Sequence, residues 1–256
     1  MSDDCGTELS ARCRYEVNHG RTPVNWHHVV SAGMRGTWLW RETAVRLEFS
    51  KRLFAWAMGH VAQHYDSLLA DRKASLLSGT RGTIVEIGPG TGANFRYYPR
   101  GIHWIGAEPN RHMHPYLRRA AEFAGLDIDV RSSRAEALDL PDQSADAVIS
   151  TAVLCSVDDQ GKALQEIRRV LRPGGQFIFM EHVAADRGTV LSGIQHTIQP
   201  LWSCLAGGCH PDRDTQNTIA QVGFEPVSFE RFRLPLGPIA PHIAGIAIRS
   251  SVNPPV

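Results

Sequence analysis

The stretch TIVEIGPGTGANF (83–95) decides the fold, because an apolar run carrying one acid leads directly into a loop with three alternating glycines. The run TIVEIG (83–88) is typical of a buried strand, and a helix is expected after the loop. Glycines let the backbone turn sharply and approach a ligand without an intervening Cβ. With Ala93 the loop also fits the fingerprint Gly-x-Gly-x-x-Gly/Ala, so the loop alone leaves open a dinucleotide or another adenosine-containing cofactor.

Two acids near the loop favour S-adenosylmethionine over a dinucleotide. Glu86 lies two residues before Gly88, where its carboxylate is suited to accept hydrogen bonds from the ammonium group of a methionine moiety and would repel a pyrophosphate. Glu108 follows about twenty residues later, the spacing at which an acid accepts the ribose hydroxyls of an adenosine. NAD-binding proteins share that second acid, so Glu108 indicates adenosine and Glu86 indicates the methionine derivative.

Short apolar runs alternate with amphipathic segments after residue 82, which is typical of a parallel sheet covered by helices on both faces. We therefore predict an α/β fold: a Rossmann-like, doubly wound, seven-stranded and mostly parallel sheet, with an N-terminal helical extension and a helical insertion after strand 5. The predicted strands are 83–88, 103–108, 128–130, 145–151, 176–183, 226–232 and 242–250. The predicted helices are 114–125, 160–171 (ended by Pro173 and Gly174) and most of 186–222.

The N-terminal part of the chain differs from the rest. Residues 1–40 are rich in Trp and His without a sustained period, whereas apolar residues from 41 to 77 recur at helical spacing and predict two helices broken near Gly59. We predict an N-terminal lid with helices at 1–78 and a catalytic domain at 79–256.

The charge and hydropathy of the chain indicate which classes of partner to expect. The chain has 27 Lys and Arg against 26 Asp and Glu, a net charge of +1 without clustering, so we expect no nucleic-acid partner. No run approaches the roughly 20 apolar residues of a membrane span, and the start MSDDCGTELSARCRYE is too polar for a signal peptide. We expect a cytoplasmic protein with a small-molecule partner.

The five cysteines do not form a disulfide framework, because their number is odd and their spacing irregular, so free thiols are expected. Cys204, Cys209 and His210 are close enough in sequence to consider zinc, but no second ligand pair matches them. We predict no metal site, and we interpret Cys155 as a buried apolar filler.

Five segments together resemble the class I S-adenosylmethionine-dependent methyltransferases. More narrowly, the chain resembles the methyltransferase-like 7 group of thiol S-methyltransferases and similar bacterial small-molecule thiol methyltransferases. The resemblance covers about residues 80–250, and its most selective part combines TGANF, VLCSV and MEHV. The segments are EIGPGTGANF (86–95), EPN (108–110), STAVLCSV (150–157), RRVLRPGG (168–175) and FMEHV (179–183).

The resemblance implies S-adenosyl-L-methionine as the cofactor and a small-molecule thiol as the methyl acceptor. It places the methionine end on the glycine loop, the ribose on the acid after the second strand, the adenine near 134–136, and the methyl-transfer channel beyond the fourth strand. Many related enzymes carry Asp where this chain has Arg134. The predicted cofactor-binding residues are Tyr65, Glu86, Gly88, Pro89, Gly90, Gly92, Asn94, Glu108, Pro109, Asn110, Arg134, Ala135, Glu136, Thr151 and Leu154.

His182 is the candidate catalytic residue for positioning or deprotonating the acceptor. It follows Glu181 at the end of the fifth predicted strand, and ligands bind beyond the carboxyl ends of such strands. A thiol has an ordinary pKa near 8.5, so a thiol acceptor needs no strong dedicated base.

Three alternatives stay open at the level of sequence. The first is an O- or N-methyltransferase acting on a natural product or a quinone-like ring. The second is an NAD-dependent oxidoreductase, which Glu86 and the lack of a Tyr-x-x-x-Lys motif disfavour. The third is a non-catalytic module that binds S-adenosylmethionine for regulation.

Overall fold

The structure is a computed structural model that describes residues 51–53, 55, 56 and 63–250. The predicted lid at 1–40 and the helix break near Gly59 lie outside the described residues, and the domain boundary at residue 78 stays a prediction. Over the described ranges, no helix combines the length and apolar composition needed to cross a bilayer.

The core of the fold is one sheet of seven strands in the order β3-β2-β1-β4-β5-β7-β6. Strands β1 to β5 pair in parallel, and β7 is antiparallel to both β5 and β6. This confirms the predicted doubly wound, mostly parallel sheet. The strands are β1 Thr83–Ile87, β2 His103–Ala107, β3 Ile128–Arg131, β4 Ala145–Thr151, β5 Leu171–His182, β6 Phe224–Arg233 and β7 Pro241–Arg249.

Five helices of the described chain cover the sheet, and residues 63–68 are also helical. Apolar spacing explains the helix after β4, which buries Ala163, Leu164, Ile167 and Val170 on one face. Its first turn is capped by Asp159, whose side chain accepts a hydrogen bond from the Lys162 N–H. The helices are α1 Ala70–Leu77, α2 His114–Ala124, α3 Gln160–Val170, α4 Val190–Leu205 and α5 Thr215–Gln221.

Two local predictions are wrong. The glycine loop is followed by a short 3₁₀ helix, Phe95–Tyr97, instead of an α-helix, because Pro99 and Gly101 turn the chain toward β2 after a single turn. Helix α3 ends at Val170, and Pro173 and Gly174 lie inside β5, in the bulge where its register against β4 shifts.

Both faces of the sheet are buried, so its inner strands are continuously apolar instead of alternating. Neighbouring residues of one strand belong to different hydrophobic clusters, as with Ile84 and Val85 in β1 and with Phe177 and Ile178 in β5. With both faces filled by apolar packing, the polar residues of the inner strands collect at their carboxyl ends.

Candidate active site

The carboxyl ends of β1, β4 and β5 lie side by side at one edge of the sheet. The fold therefore brings Glu86, Thr151 and His182, which are far apart in sequence, to the same edge. This is the position at which open α/β sheets bind their ligands.

The glycine loop leaves an open space above Gly90. Its φ is +57°, and a Cβ added there would meet nothing closer than the Gly88 carbonyl oxygen at 3.9 Å. Gly88 differs, because a Cβ there would lie 2.7 Å from Cγ2 of Val153, in the loop after β4. Gly88 thus allows close packing between two loops, whereas Gly90 faces an open space in which a ligand can approach the protein backbone.

Glu86 is buried and accepts three hydrogen bonds from side chains of its own region. Asn94 Nδ2 donates to Oε1 at 2.8 Å, whereas the Tyr98 hydroxyl (2.7 Å) and Trp104 Nε1 (3.1 Å) donate to Oε2. Burial raises the pKa of Glu86, and these hydrogen bonds offset part of that effect. A carboxylate has about four lone-pair sites, so protein donors occupy most of this one. Direct binding of a methionine ammonium by Glu86 stays a prediction.

Asn94 offers the free acceptor that Glu86 largely lacks. Its Nδ2 group donates to Glu86 and also to Thr151 Oγ1 at 3.1 Å, which fixes the orientation of the amide. Its Oδ1 is buried and has no hydrogen-bond partner within the described residues. A buried carbonyl oxygen without a donor is a site for a ligand N–H group. The ammonium group of a bound methionine moiety fits this acceptor.

Glu108 connects the second strand to the glycine loop. Its Oε2 accepts from the Gly90 N–H at 3.1 Å and its Oε1 from the Asn110 N–H at 2.8 Å. Burial raises the pKa of Glu108, and the two backbone hydrogen bonds act against that rise. Each oxygen keeps a lone pair, as the binding of two ribose hydroxyls requires.

The segment predicted to contact adenine is held by internal contacts. Arg134 forms ion pairs with Asp158 (2.5 Å) and Glu136 (3.5 Å). Glu136 accepts from the N–H groups of Asp158 (2.7 Å) and Asp159 (3.4 Å), and Ala135 is buried in the core. These contacts fix the loop after β4, and a role in adenine binding stays a prediction.

The other predicted cofactor residues occupy different surroundings. Leu154 is fully buried in the hydrophobic core. Pro109 is exposed, and Pro89 packs near Gly106. None of these three side chains donates or accepts a side-chain hydrogen bond.

Tyr65 lies against β7. Its hydroxyl is 3.1 Å from Nε2 of His242, while Nδ1 of His242 lies 3.0 Å from the carbonyl oxygen of Ala240. A carbonyl only accepts, so Nδ1 carries the proton and the Tyr65 hydroxyl donates to Nε2. Burial lowers the pKa of His242 to about 4, in agreement with a neutral ring. His242 pairs with His182 across β5 and β7, so Tyr65 borders the His182 region.

His182 is 3% exposed and contacts a cysteine that the sequence did not pair with it. Its Nε2 lies 3.1 Å from Sγ of Cys209, and Trp202 Nε1 donates to the same sulfur at 3.3 Å. Cys155 lies beside them, and a hydrogen bond with its thiol lowers the pKa of Cys209. Burial acts in the opposite direction, and the contact with His182 lowers this pKa further. Nδ1 of His182 is buried without a partner in the described part of the chain. This His182 region is the second polar centre of the edge.

The comparisons with known proteins agree with this geometry. Residues 85–179 match the model of a family described as a methyltransferase domain. The chain is 34% identical to human thiol S-methyltransferase TMT1B over 78% of this chain and 87% of that protein. It is 33% identical to human thiol S-methyltransferase TMT1A over 84% of this chain and 90% of that protein.

The chain belongs to the family of the thiol S-methyltransferases TMT1A and TMT1B. A solved S-adenosylmethionine-dependent methyltransferase of Thermotoga maritima shares the fold, with a TM-score of 0.56 and 24% identity over 78% of this chain and 97% of that one. This TMT1-family protein is therefore an S-adenosylmethionine-dependent methyltransferase, as the resemblance predicted. The residues present fit that cofactor, because the open space above Gly90, the free Asn94 Oδ1 and the Glu108 carboxylate lie along one edge.

Sequence reasoning missed the neighbours of His182 in this TMT1-family protein. It grouped Cys209 with Cys204 and His210, but Cys204 is exposed and His210 Nδ1 contacts the carbonyl of Gly208. Cys155 was interpreted as filler, yet it lies in the His182 region. The available signal was the segment GGC (207–209), a glycine pair that breaks the predicted helical insertion at 186–222 directly before Cys209.

Proposed function

We propose that this TMT1-family methyltransferase transfers a methyl group from S-adenosylmethionine to the sulfur of a small-molecule thiol. The observation that carries the proposal is the match to the thiol S-methyltransferases TMT1B and TMT1A over 87% and 90% of their lengths. A match of that extent includes the acceptor-side segments after residue 179, which the general methyltransferase domain does not reach.

Different residues at this edge of the sheet would bind different parts of the cofactor. Glu108 and the loop at Gly90 would hold the ribose, and Asn94 Oδ1 would accept from the ammonium group. When bound, the cofactor supplies a methyl group already activated by the sulfonium, so the protein contributes mainly alignment and exclusion of water. His182 and its neighbours are buried beyond β5, where they border the position expected for the acceptor.

A matched-acceptor screen tests the proposal. The purified enzyme is supplied with radiolabelled methyl donor and with acceptors that share one carbon skeleton and differ only in bearing a thiol, a hydroxyl or an amine. We expect label in the thioether product and background levels in the ether and the methylamine. The Gly90→Val variant, in which the added side chain fills the open space, defines the background.

Other results of this screen would favour one of the alternative functions. Turnover of the phenol or amine without turnover of the matched thiol would overturn the thiol proposal and favour an O- or N-methyltransferase. Binding of S-adenosylhomocysteine with no turnover of any acceptor would favour a regulatory binding protein. A lack of nucleic-acid partners and a cytoplasmic location stay predictions.

A further inference from the structure

Cys155, His182 and Cys209 form a buried cluster of soft donor groups. One ligand atom from each lies within 4.8 Å of the other two, and their exposed fractions are 2%, 3% and 8%. In the described part of the chain, this is the one group of three or more His, Cys, Asp or Glu side chains arranged to hold a metal ion.

Contacts other than those among the three side chains hold the elements that carry these residues. Cys155 lies in the loop after β4, and its carbonyl oxygen accepts from the His210 N–H at 2.9 Å. His182 ends β5 and is fixed by its pairing with His242. Cys209 follows α4, whose Trp202 donates to Sγ. The convergence is therefore a property of the fold and does not depend on contacts among the three side chains alone.

The donor set is that of zinc. Two sulfurs and one imidazole, with no carboxylate, suit a borderline-soft ion that prefers tetrahedral geometry. With Zn–S near 2.3 Å and Zn–N near 2.0–2.1 Å, neighbouring ligand atoms are about 3.5 Å apart. The His182 Nε2 to Cys209 Sγ distance of 3.1 Å and the 4.8 Å limit of the cluster bracket that separation. The Trp202 N–H beside Cys209 Sγ is an outer hydrogen bond of the kind that orients metal ligands.

We propose that Cys155, His182 and Cys209 bind one zinc ion whose fourth position is open to the sulfur of the acceptor. The fourth ligand rests on the proposed thiol function, whereas the three protein ligands do not. Two cysteines, one histidine and an open position are a known arrangement of catalytic zinc. The loop that carries Cys155 also carries Val153, which lies against Gly88, so the metal would face the cofactor from the acceptor side.

Methyl transfer to a zinc-bound sulfur needs no oxidant or reductant. The acceptor thiol binds through sulfur and loses its proton to solvent, because coordination to zinc favours the thiolate. That sulfur donates an electron pair to the methyl carbon as the carbon–sulfur bond of the donor breaks. A neutral thioether and S-adenosylhomocysteine then leave, and the thioether is a weaker zinc ligand than the thiolate.

Metal content is the first test. The full chain is purified without a histidine tag, dialysed against trace zinc and analysed by elemental mass spectrometry. We expect one zinc per chain in the wild type and loss of that zinc in Cys155→Ser, His182→Ala and Cys209→Ser. The matched control is Cys204→Ser, because Cys204 is exposed and lies outside the cluster, and it should keep its zinc. Trp202→Phe should weaken zinc affinity by about 10- to 100-fold.

Calorimetry with S-adenosylhomocysteine distinguishes loss of the metal site from unfolding. Variants that bind S-adenosylhomocysteine but no zinc support the proposal. A wild type that binds S-adenosylhomocysteine and holds no more zinc than the Cys209→Ser variant overturns it. A disulfide between Cys155 and Cys209 in the protein purified under air, with no zinc uptake after reduction, overturns it equally.

Cobalt(II) substitution tests the open position separately from turnover. Cobalt in the cluster should show sulfur-to-metal charge-transfer bands, and these should change when a thiol is added in the presence of S-adenosylhomocysteine, which cannot donate a methyl group. A spectrum that responds to thiols but not to matched alcohols supports a thiol on the metal. A bound metal whose spectrum does not change when thiols are added would overturn the fourth-ligand assignment. Thiol turnover by a metal-free enzyme would also overturn it, but would support the proposed function.

Discussion

Two parts of the candidate active site are built in different ways. We call residues 86–110 the cofactor side, and residues 151–242 with Tyr65 the acceptor side, although Tyr65, Thr151 and Leu154 were also predicted to bind the cofactor. On the cofactor side, hydrogen bonds join near neighbours, such as Asn94 to Glu86, 8 residues apart, and Gly90 to Glu108, 18 residues apart. On the acceptor side, Nε2 of His182 and Sγ of Cys209 are 27 residues apart. The hydroxyl of Tyr65 reaches His242 across 177 residues.

The two sides also differ in how they relate to the general methyltransferase domain. The cofactor side lies within residues 85–179, which match a general methyltransferase domain, whereas Tyr65, Cys209 and His242 lie outside that range. The cofactor side is therefore one contiguous stretch within a domain that many methyltransferases share. The proposed acceptor side instead combines segments that only the tertiary fold brings together.

The largest expected effect is on the cofactor side. Gly90→Val should abolish measurable S-adenosylhomocysteine binding, because a branched side chain would occupy the open space above Gly90. Isothermal titration calorimetry measures the affinity. If the two sides are independent, the same variant should keep its zinc.

The control for Gly90→Val is Gly101→Val. Gly101 also has a positive φ, +81°, with nothing within 4 Å of an added Cβ, so the backbone strain is matched away from the site. Both residues would then carry a strain of about 1–3 kcal/mol, and only Gly90→Val should lose the ligand. Equal loss in the two variants would mean that strain, and not the filled space, is responsible.

An intermediate effect is expected on the acceptor side from Gln195→Ala. Gln195 is fully buried in α4; its Oε1 accepts from the Ala185 N–H at 2.7 Å, and its Nε2 donates to the carbonyl oxygens of Pro238 (2.8 Å) and Val183 (3.4 Å). Losing these bonds should lower the free energy of unfolding by about 1–3 kcal/mol. It should also raise KM for the acceptor without changing S-adenosylhomocysteine affinity, since Val183 directly follows His182.

Gln199→Ala is the matched control for Gln195→Ala, being the same residue type one turn later in α4 and only half-buried. It should affect neither KM nor stability appreciably. A Gln195→Ala enzyme that loses cofactor affinity as much as acceptor affinity would contradict the separation of the two sides.

The smallest effect concerns the pH dependence of stability at Glu86. Burial raises the pKa of Glu86 above its ordinary value, so the folded protein keeps this proton at pH values where the unfolded chain has lost it. The wild type therefore loses stability as the pH rises from about 4.3, the pKa in the unfolded chain, through the raised folded pKa. Glu86→Gln has no such proton, so its deficit in unfolding free energy should be larger at the acidic end of that window than at neutral pH.

Denaturant unfolding of both proteins between pH 4.5 and pH 8, about the range in which a raised carboxyl titrates, measures this difference. Glu122→Gln, on the exposed face of α2, controls for the loss of one negative charge. Wild-type and Glu86→Gln curves that run parallel across the range would contradict the buried-carboxyl account.

Most of the sheet was predictable, because each strand is a short apolar run bounded by turn residues. The limits of β1 and β2 were predicted to within one residue. The 3₁₀ helix after the glycine loop was not, since two turn-forming residues at 99 and 101 outweigh the usual strand–loop–helix pattern. The start of β5 was also missed, because a bulge allows Pro173 and Gly174 in a strand where a linear pattern assigns a break.

The position of His182 was predictable from the sequence, whereas its contacts were not. Its place at the carboxyl end of β5 followed from the parallel sheet alone, and the structure confirms that place. Its partners did not follow, because proximity in sequence favoured Cys204 and His210 as neighbours of Cys209. In the fold, Cys204 is exposed on α4, while the turn after the helix directs Cys209 inward to His182.

The sequence by itself determined the α/β class, the limits of β1 and β2, and the cofactor, because periodicity, the glycine loop and the two acids act over distances that one supersecondary unit spans. Only the tertiary structure decided that Cys155, His182 and Cys209 meet. Their meeting depends on the strand order β1-β4-β5-β7 and on the docking of α4 through Gln195. Non-local pairings of this kind arise when distant elements pack, and no local pattern in the chain records them.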